Sequence, residues 1–235
     1  MIWADYEAVL FDLDGVITPT AVVHMRAWAE MFNEFLSSWE GAGDTSPYAD
    51  ADYYAHVDGK PRYDGVRDFL ASRAIPADED LVVALGDRKN DAFNAVLARD
   101  GVEAYPGSVR LLDHLRDLGT PLAVVSSSAN APAVLEAAGL LDRFRTVVSG
   151  DVAQRLGLAG KPAPDTFLHA AEELGATAAT SVVLEDAVSG VRAGKAGDFG
   201  LVVGVDRGAG ADTLREAGAG VVVDDLAALV PGAAA

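Results

Sequence analysis

The sequence predicts an α/β fold, a doubly wound parallel sheet into which an all-helical block is inserted after the first strand. Short apolar runs bounded by turn residues alternate with amphipathic helical patterns from residue 103 onward. Between residues 21 and 102 that alternation stops and only helical periodicity is found. The apolar runs also end in polar or acidic residues, which an open parallel sheet gathers along the carboxyl edge of its strands, where ligands bind.

Taken in order, Val9, Leu10 and Phe11 form an apolar run that reads as a strand buried on both faces. Asp12 and Asp14 follow, two residues apart, so an extended backbone aims both side chains the same way. Gly15 then frees the chain to turn. Asp and Gly after a strand also make an ordinary turn, so this stretch alone leaves both readings open.

Residues 21 to about 39 are helical, with Val22, Met25, Trp28, Met31, Phe32 and Phe35 recurring at spacings of three and four. Residues 41–58 form a polar segment carrying Tyr48, Tyr53 and Tyr54, and helices are expected from Tyr63 to about Arg73 and from Asp78 to Arg99. Tyr105-Pro106-Gly107 reads as the return hinge. A helix through Val109, Leu111, Leu112, Leu115 and Leu118 comes next, then a strand over 121–125 that ends in Ser126, Ser127 and Ser128.

A helix to about residue 138, a strand over 146–149 and a helix over 163–175 continue the alternation. The strand over 181–184 ends in Glu185 and Asp186, a helix spans 188–196, and strands over 201–205 and 221–223 complete the sheet. The Ala- and Gly-rich end, 232–235, is expected to fray. This divides the chain into a core domain of residues 1–20 and 103–235 and a helical cap of residues 21–102.

A chain of 235 residues with 50% hydrophobic content can bury a full core. Its formal charge of −18 argues against nucleic acid or an anionic membrane as partner. A phosphate substrate is repelled at long range as well, so any anion site has to concentrate some of the 18 Lys and Arg residues together with a divalent cation. The chain has no cysteine, which fits a cytoplasmic protein. Asp5 and Glu7 make the amino terminus unlike a signal peptide. No apolar run approaches the ~20 residues that span a bilayer. A cytoplasmic protein with a monomer as the starting assumption is expected.

FDLDGVITPT, Ser126 after the second core strand, GKPAPDTF around Lys161, and Glu185-Asp186 before AVSGV together resemble the four motifs of the haloacid dehalogenase superfamily, in the form carried by its β-phosphoglucomutase group. The resemblance covers nearly the whole chain and implies a Rossmann-like core with a helical cap. It implies that Asp12 is the nucleophile that becomes an aspartyl phosphate, and that Asp14 is the general acid and base. Ser126 and neighbouring N–H groups would hold the phosphoryl oxygens, and Lys161 would neutralise Asp12 and the transferring group. Mg²⁺ is the implied cofactor, with Asp12, Asp14 through its carbonyl, Asp186 and Glu185 as ligands. Plainer roles stay open: Ser126 as a helix N-cap, and Glu185 and Asp186 as partners of a helix dipole.

In the cap, the resemblance assigns His24 to the positioning of Asp14 and substrate, Arg62 to the phosphate that is not transferred, and Lys89 to the substrate face. Ser127, Ser128 and Asn130 join them in binding substrate. The chain departs from the group at Pro19, where an acidic residue is common, and at Ala129, where the mutases usually carry a lysine.

The implied activity is a phosphotransferase converting β-glucose 1-phosphate to glucose 6-phosphate through the 1,6-bisphosphate. The alternatives are a phosphatase of sugar phosphates or other small phosphoesters and, from another class, a non-catalytic sugar-phosphate-binding protein.

Overall fold

The structure is a computed structural model that describes residues 3–232; most of the Ala- and Gly-rich end, residues 233–235, lies outside the described residues. Strands β1 (Ala8–Phe11), β2 (Leu122–Val125), β3 (Thr146–Val148), β4 (Ser181–Glu185), β5 (Leu201–Val205) and β6 (Val221–Val223) form one parallel sheet in the order β3-β2-β1-β4-β5-β6. The chain winds outward from β1 to β3, then crosses to the other side of β1 at β4. A crevice opens at such a reversal, beyond the carboxyl ends of the strands. Phe11 lies opposite both Val124 and Leu184, so the next residues, Asp12, Val125 and Glu185, stand at one level along this edge.

Between β1 and β2 lie α1 (Thr20–Ser38), α2 (Asp50–Asp52, continued by a π-helical turn over Tyr53–Val57), α3 (Arg62–Ser72) and α4 (Glu79–Asp100). They bury an apolar cluster of their own that includes Trp28, Phe32, Phe35, Val66, Phe69 and Leu85. Phe32 is its centre, 4.1 Å from the Phe69 ring and 5.3 Å from that of Trp28. Ala27 and Phe93 instead join the apolar cluster under the sheet, which seats the base of the insert on the core. The two connections are tied side by side: Tyr105 N–H donates to Ile17 O (2.9 Å) and Ser108 Oγ to Val16 O (2.6 Å).

Helices α5 (Pro106–Asp117), α6 (Ala131–Ala137), α7 (Gly150–Leu156), α8 (Asp165–Glu173), α9 (Val188–Ala196) and α10 (Ala211–Ala217) cover the sheet. The two-residue side-chain period of β1 divides the core. Val9 and Phe11 pack with Leu111, Leu115 and Val134 on one face, and Ala8 and Leu10 pack with Phe167, Val191 and Leu214 on the other. Among the described residues no helix is long and apolar enough to cross a membrane.

The structure corrects several local expectations. Val22 is exposed rather than part of the inward stripe, because two residues turn the chain roughly 200° around the axis from the inward-facing Thr20. Its place is taken by buried His24. Leu118 is exposed beyond the end of α5, where the chain turns at Gly119 (φ 72°). The segment 41–58 is not merely polar: Tyr48, Tyr53 and Val57 are buried in the insert's cluster. Helices α7 and α10 escape a periodicity reading because α7 buries no residue fully and α10 buries only Leu214.

Candidate active site

Asp12 follows β1 and is fixed by its N–H, which donates to Leu184 O (2.9 Å). Lys161, on the loop before α8, reaches under it. Its Nζ lies 2.5 Å from Asp12 Oδ1 and 2.6 Å from Glu185 Oε1, and donates to Val125 O (2.9 Å). Lys161 and Glu185 are buried, so these contacts are shielded from water. Burial works against the ammonium form, but the charges of Asp12 and Glu185 prevail and hold Lys161 above the usual lysine range.

Two glycines make room for the acids. A Cβ on Gly15, whose φ is 89°, would meet Asp186 Oδ2 at 1.9 Å, and one on Gly190 would meet Glu185 Oε1 at 1.8 Å. Gly190→Ala is therefore expected to push the fully buried Glu185 off Lys161, at a cost of about 1–3 kcal/mol in stability. A urea midpoint unchanged from wild type would contradict that packing.

Carboxylate oxygens of Asp12, Glu185 and Asp186 lie within 4.8 Å of one another. Burial, with the neighbouring carboxylates, pushes Asp12 and Asp186 well above the usual carboxylate range. Three acids against one lysine leave a surplus of negative charge on oxygen donors, which fits a hard divalent cation.

The Asp14 carboxylate stands apart from that cluster. Its Oδ1 accepts from Thr20 Oγ1 (2.5 Å) and lies 3.3 Å from His24 Nε2, and its Oδ2 accepts from Ser126 Oγ (3.4 Å). Burial tends to raise Asp14, but His24 and Thr20, with Lys89 behind them, outweigh it and hold the group at about 2. Lys89 Nζ pairs with His24 Nδ1 in a buried contact. An ammonium has no acceptor, so Nδ1 accepts and a neutral ring turns its Nε2–H toward Asp14. Burial brings Lys89 down to about 7, and burial together with the Lys89 charge lowers His24.

A second polar region faces this one across the same pocket. Asn90, beside Lys89 on α4, accepts at Oδ1 from Arg62 Nη2 (2.8 Å) and from Asn130 Nδ2 (2.7 Å), joining the insert to the core. Arg62 Nη1 also reaches Asp87 (3.4 Å). Ser128 N–H donates to Ser126 Oγ (3.1 Å), and Ser128 Oγ accepts from Asn130 N–H (3.2 Å).

Asp12, Asp14, His24, Arg62, Lys89, Ser126, Ser128, Asn130, Glu185 and Asp186 thus line one pocket, with Lys161 beneath its floor. Ser127 lines it too, but its hydroxyl donates to Gly59 O (2.8 Å) and so serves the contact between insert and core. Ala129 faces a neighbouring cavity against α7.

Sequence reasoning missed Thr20, Asn90 and Asp58. Thr20 ends the first motif and Asn90 follows Lys89, so proximity in sequence was the available signal. Asp58 lines the pocket from the segment before Arg62, and burial raises it to about 6.

A family model described as haloacid dehalogenase-like hydrolase matches residues 6–198. A β-phosphoglucomutase of Mycobacterium bovis is 48% identical over 239 residues, covering 95% of this chain and 91% of that protein. Hexitol phosphatase A of Escherichia coli is 31% identical over 189 residues, covering 80% and 77%. The crystal structure of a β-phosphoglucomutase from Clostridium difficile superposes with a TM-score of 0.79 at 25% identity, covering 96% of this chain and 94% of that one.

Proposed function

The chain belongs to the haloacid dehalogenase-like hydrolases, and on that footing we propose that it is a phosphotransferase that converts β-glucose 1-phosphate to glucose 6-phosphate through the 1,6-bisphosphate. Residues 1–20 and 103–235 are the catalytic core in this reading, and residues 21–102 are a cap that closes over it. The chemistry takes place in the cytoplasm, and a monomer suffices because every residue invoked comes from one chain.

Asp12 attacks the phosphorus of the donor: its carboxylate oxygen forms the new O–P bond as the bond to the sugar oxygen breaks. Asp14 gives its proton to that oxygen and, in the second half, takes one from the attacking sugar hydroxyl while the acyl phosphate bond to Asp12 breaks. Low proton affinity leaves Asp14 ionised at rest and ready to act as the base, and the proton it takes from the sugar hydroxyl is the one it gives to the next leaving sugar oxygen. Ser126 and the N–H groups after β2 hold the phosphoryl oxygens, and Lys161 offsets the charge on Asp12. Asp12, Glu185, Asp186 and the Asp14 carbonyl would hold Mg²⁺, which when bound lowers the repulsion between carboxylate and phosphate. His24 and Lys89 orient Asp14, while Arg62, Ser128 and Asn130 bind the remote phosphate.

The observation that carries the reading is that Arg62 of the insert and Asn130 of the core meet on Asn90 in the pocket that Asp12 lines. A bisphosphate requires an anion site at each end, and this pair supplies the second. The other reading, a hydrolase of sugar phosphates, is favoured by Ala129, which brings no cation to that site. Phosphorus NMR of β-glucose 1-phosphate with Mg²⁺ and a trace of glucose 1,6-bisphosphate separates the two. Glucose 6-phosphate as the main product is expected; inorganic phosphate as the main product would establish the hydrolase.

A further inference from the structure

Residues 58–62 of the cap form a strip that is hydrogen-bonded to the core on two sides. Ser127 Oγ, beyond β2, donates to Gly59 O (2.8 Å), and Ser189 Oγ, on the first turn of α9, donates to Asp58 O (3.1 Å). These serines flank the end of β1, so the strip is held on both sides of Asp12. Gly59 has φ 68°, and a Cβ there would meet Ser189 Oγ at 2.2 Å and the Ala187 Cβ at 2.9 Å. A Cβ on Gly160, the residue before Lys161, would meet Pro61 Cγ at 2.3 Å. The same seating brings the Asp58 side chain into the pocket that already holds Asp12, Asp14, Glu185 and Asp186, where like charges oppose closing. The two serine hydroxyls are bonds that act in the other direction.

We propose that Ser189 and Gly59 form a latch, positioning residues that keep the 58–62 strip seated while Asp12 is phosphorylated and so decide whether the phosphoryl group passes to a sugar hydroxyl or to water. The inference rests on the aspartyl-phosphate chemistry proposed above. In either outcome an incoming oxygen forms the new O–P bond, the acyl phosphate bond breaks to restore the Asp12 carboxylate, and the proton goes to Asp14. The bonds made and broken are the same, so access of water makes the difference. Ser189 touches no reacting atom; its hydroxyl holds the backbone that covers them.

One neutral hydrogen bond corresponds to roughly a two- to tenfold change in the closed-to-open ratio. Ser189→Ala is therefore expected to raise the ratio of inorganic phosphate to glucose 6-phosphate by roughly two- to tenfold in the phosphorus NMR assay. Amide hydrogen exchange in a peptide spanning residues 58–62 should accelerate by a similar factor, with exchange in the sheet unchanged. Ser189→Thr, which keeps the hydroxyl, should restore both. Gly59→Ala, which crowds Ser189, should reproduce the Ser189→Ala result.

Unchanged exchange and an unchanged product ratio in Ser189→Ala would overturn the latch. A wild type that releases only inorganic phosphate would instead overturn the mutase reading. The latch is then judged by exchange and by the phosphoenzyme lifetime, which Ser189→Ala must shorten.

Discussion

Asp12→Asn is expected to lose turnover by roughly 10⁴-fold or more while the protein stays folded. Asn matches Asp in shape, but its amide is no longer the nucleophilic carboxylate the mechanism requires. The neighbours tolerate the change because Lys161 retains Glu185 at 2.6 Å and the Val125 carbonyl at 2.9 Å. The substitution also removes one of three crowded carboxylates, so in the absence of divalent cation the melting temperature should equal or exceed that of wild type. Product formation followed at substrate saturation, with a thermal melt of the same sample, checks both halves. Activity within tenfold of wild type would remove Asp12 from the reaction.

Lys161→Met has the largest expected effect on stability. The ammonium sits between Asp12 and Glu185 in a buried environment and is the only cation contacting either of them among the described residues. Its removal leaves two buried carboxylates without counter-charge and Val125 O without its donor, at a cost of about 3–5 kcal/mol. Turnover should fall with it. The double variant Asp12→Asn/Lys161→Met should be less destabilised than the sum of the singles, because one of the stranded acids is gone. Additive urea midpoints would contradict the direct pairing.

The fold was legible where packing imposes a simple period. Residues 9–11 had to be buried on both faces, and the regular alternation after residue 103 left few other ways to cover them. Elements anchored by a single apolar residue were not legible, as α10 with Leu214 shows. The acids at the strand ends stood out because parallel register carries them to one level.

Asp58 and Asn90 did not stand out, and the Ser127 hydroxyl, expected on the substrate, donates to the Gly59 carbonyl instead. Their surroundings are made by contacts between the insert and the strand ends, across separations of 68 residues for Ser127 with Gly59 and 40 for Asn130 with Asn90. Local patterning cannot encode such a meeting. His24 was found through family likeness, and its burial against Phe93, with ring centroids 4.0 Å apart, is likewise tertiary.

The central claim is a phosphoryl group carried on Asp12. Rapid acid quench after mixing with Mg²⁺ and glucose 1,6-bisphosphate, followed by peptide mass analysis, tests it most directly. One phosphoryl group is predicted on the peptide that contains Asp12, labile to hydroxylamine as an acyl phosphate is, and absent from Asp12→Asn. A phosphoryl group on any other residue, or none at any quench time while product accumulates, would contradict the account.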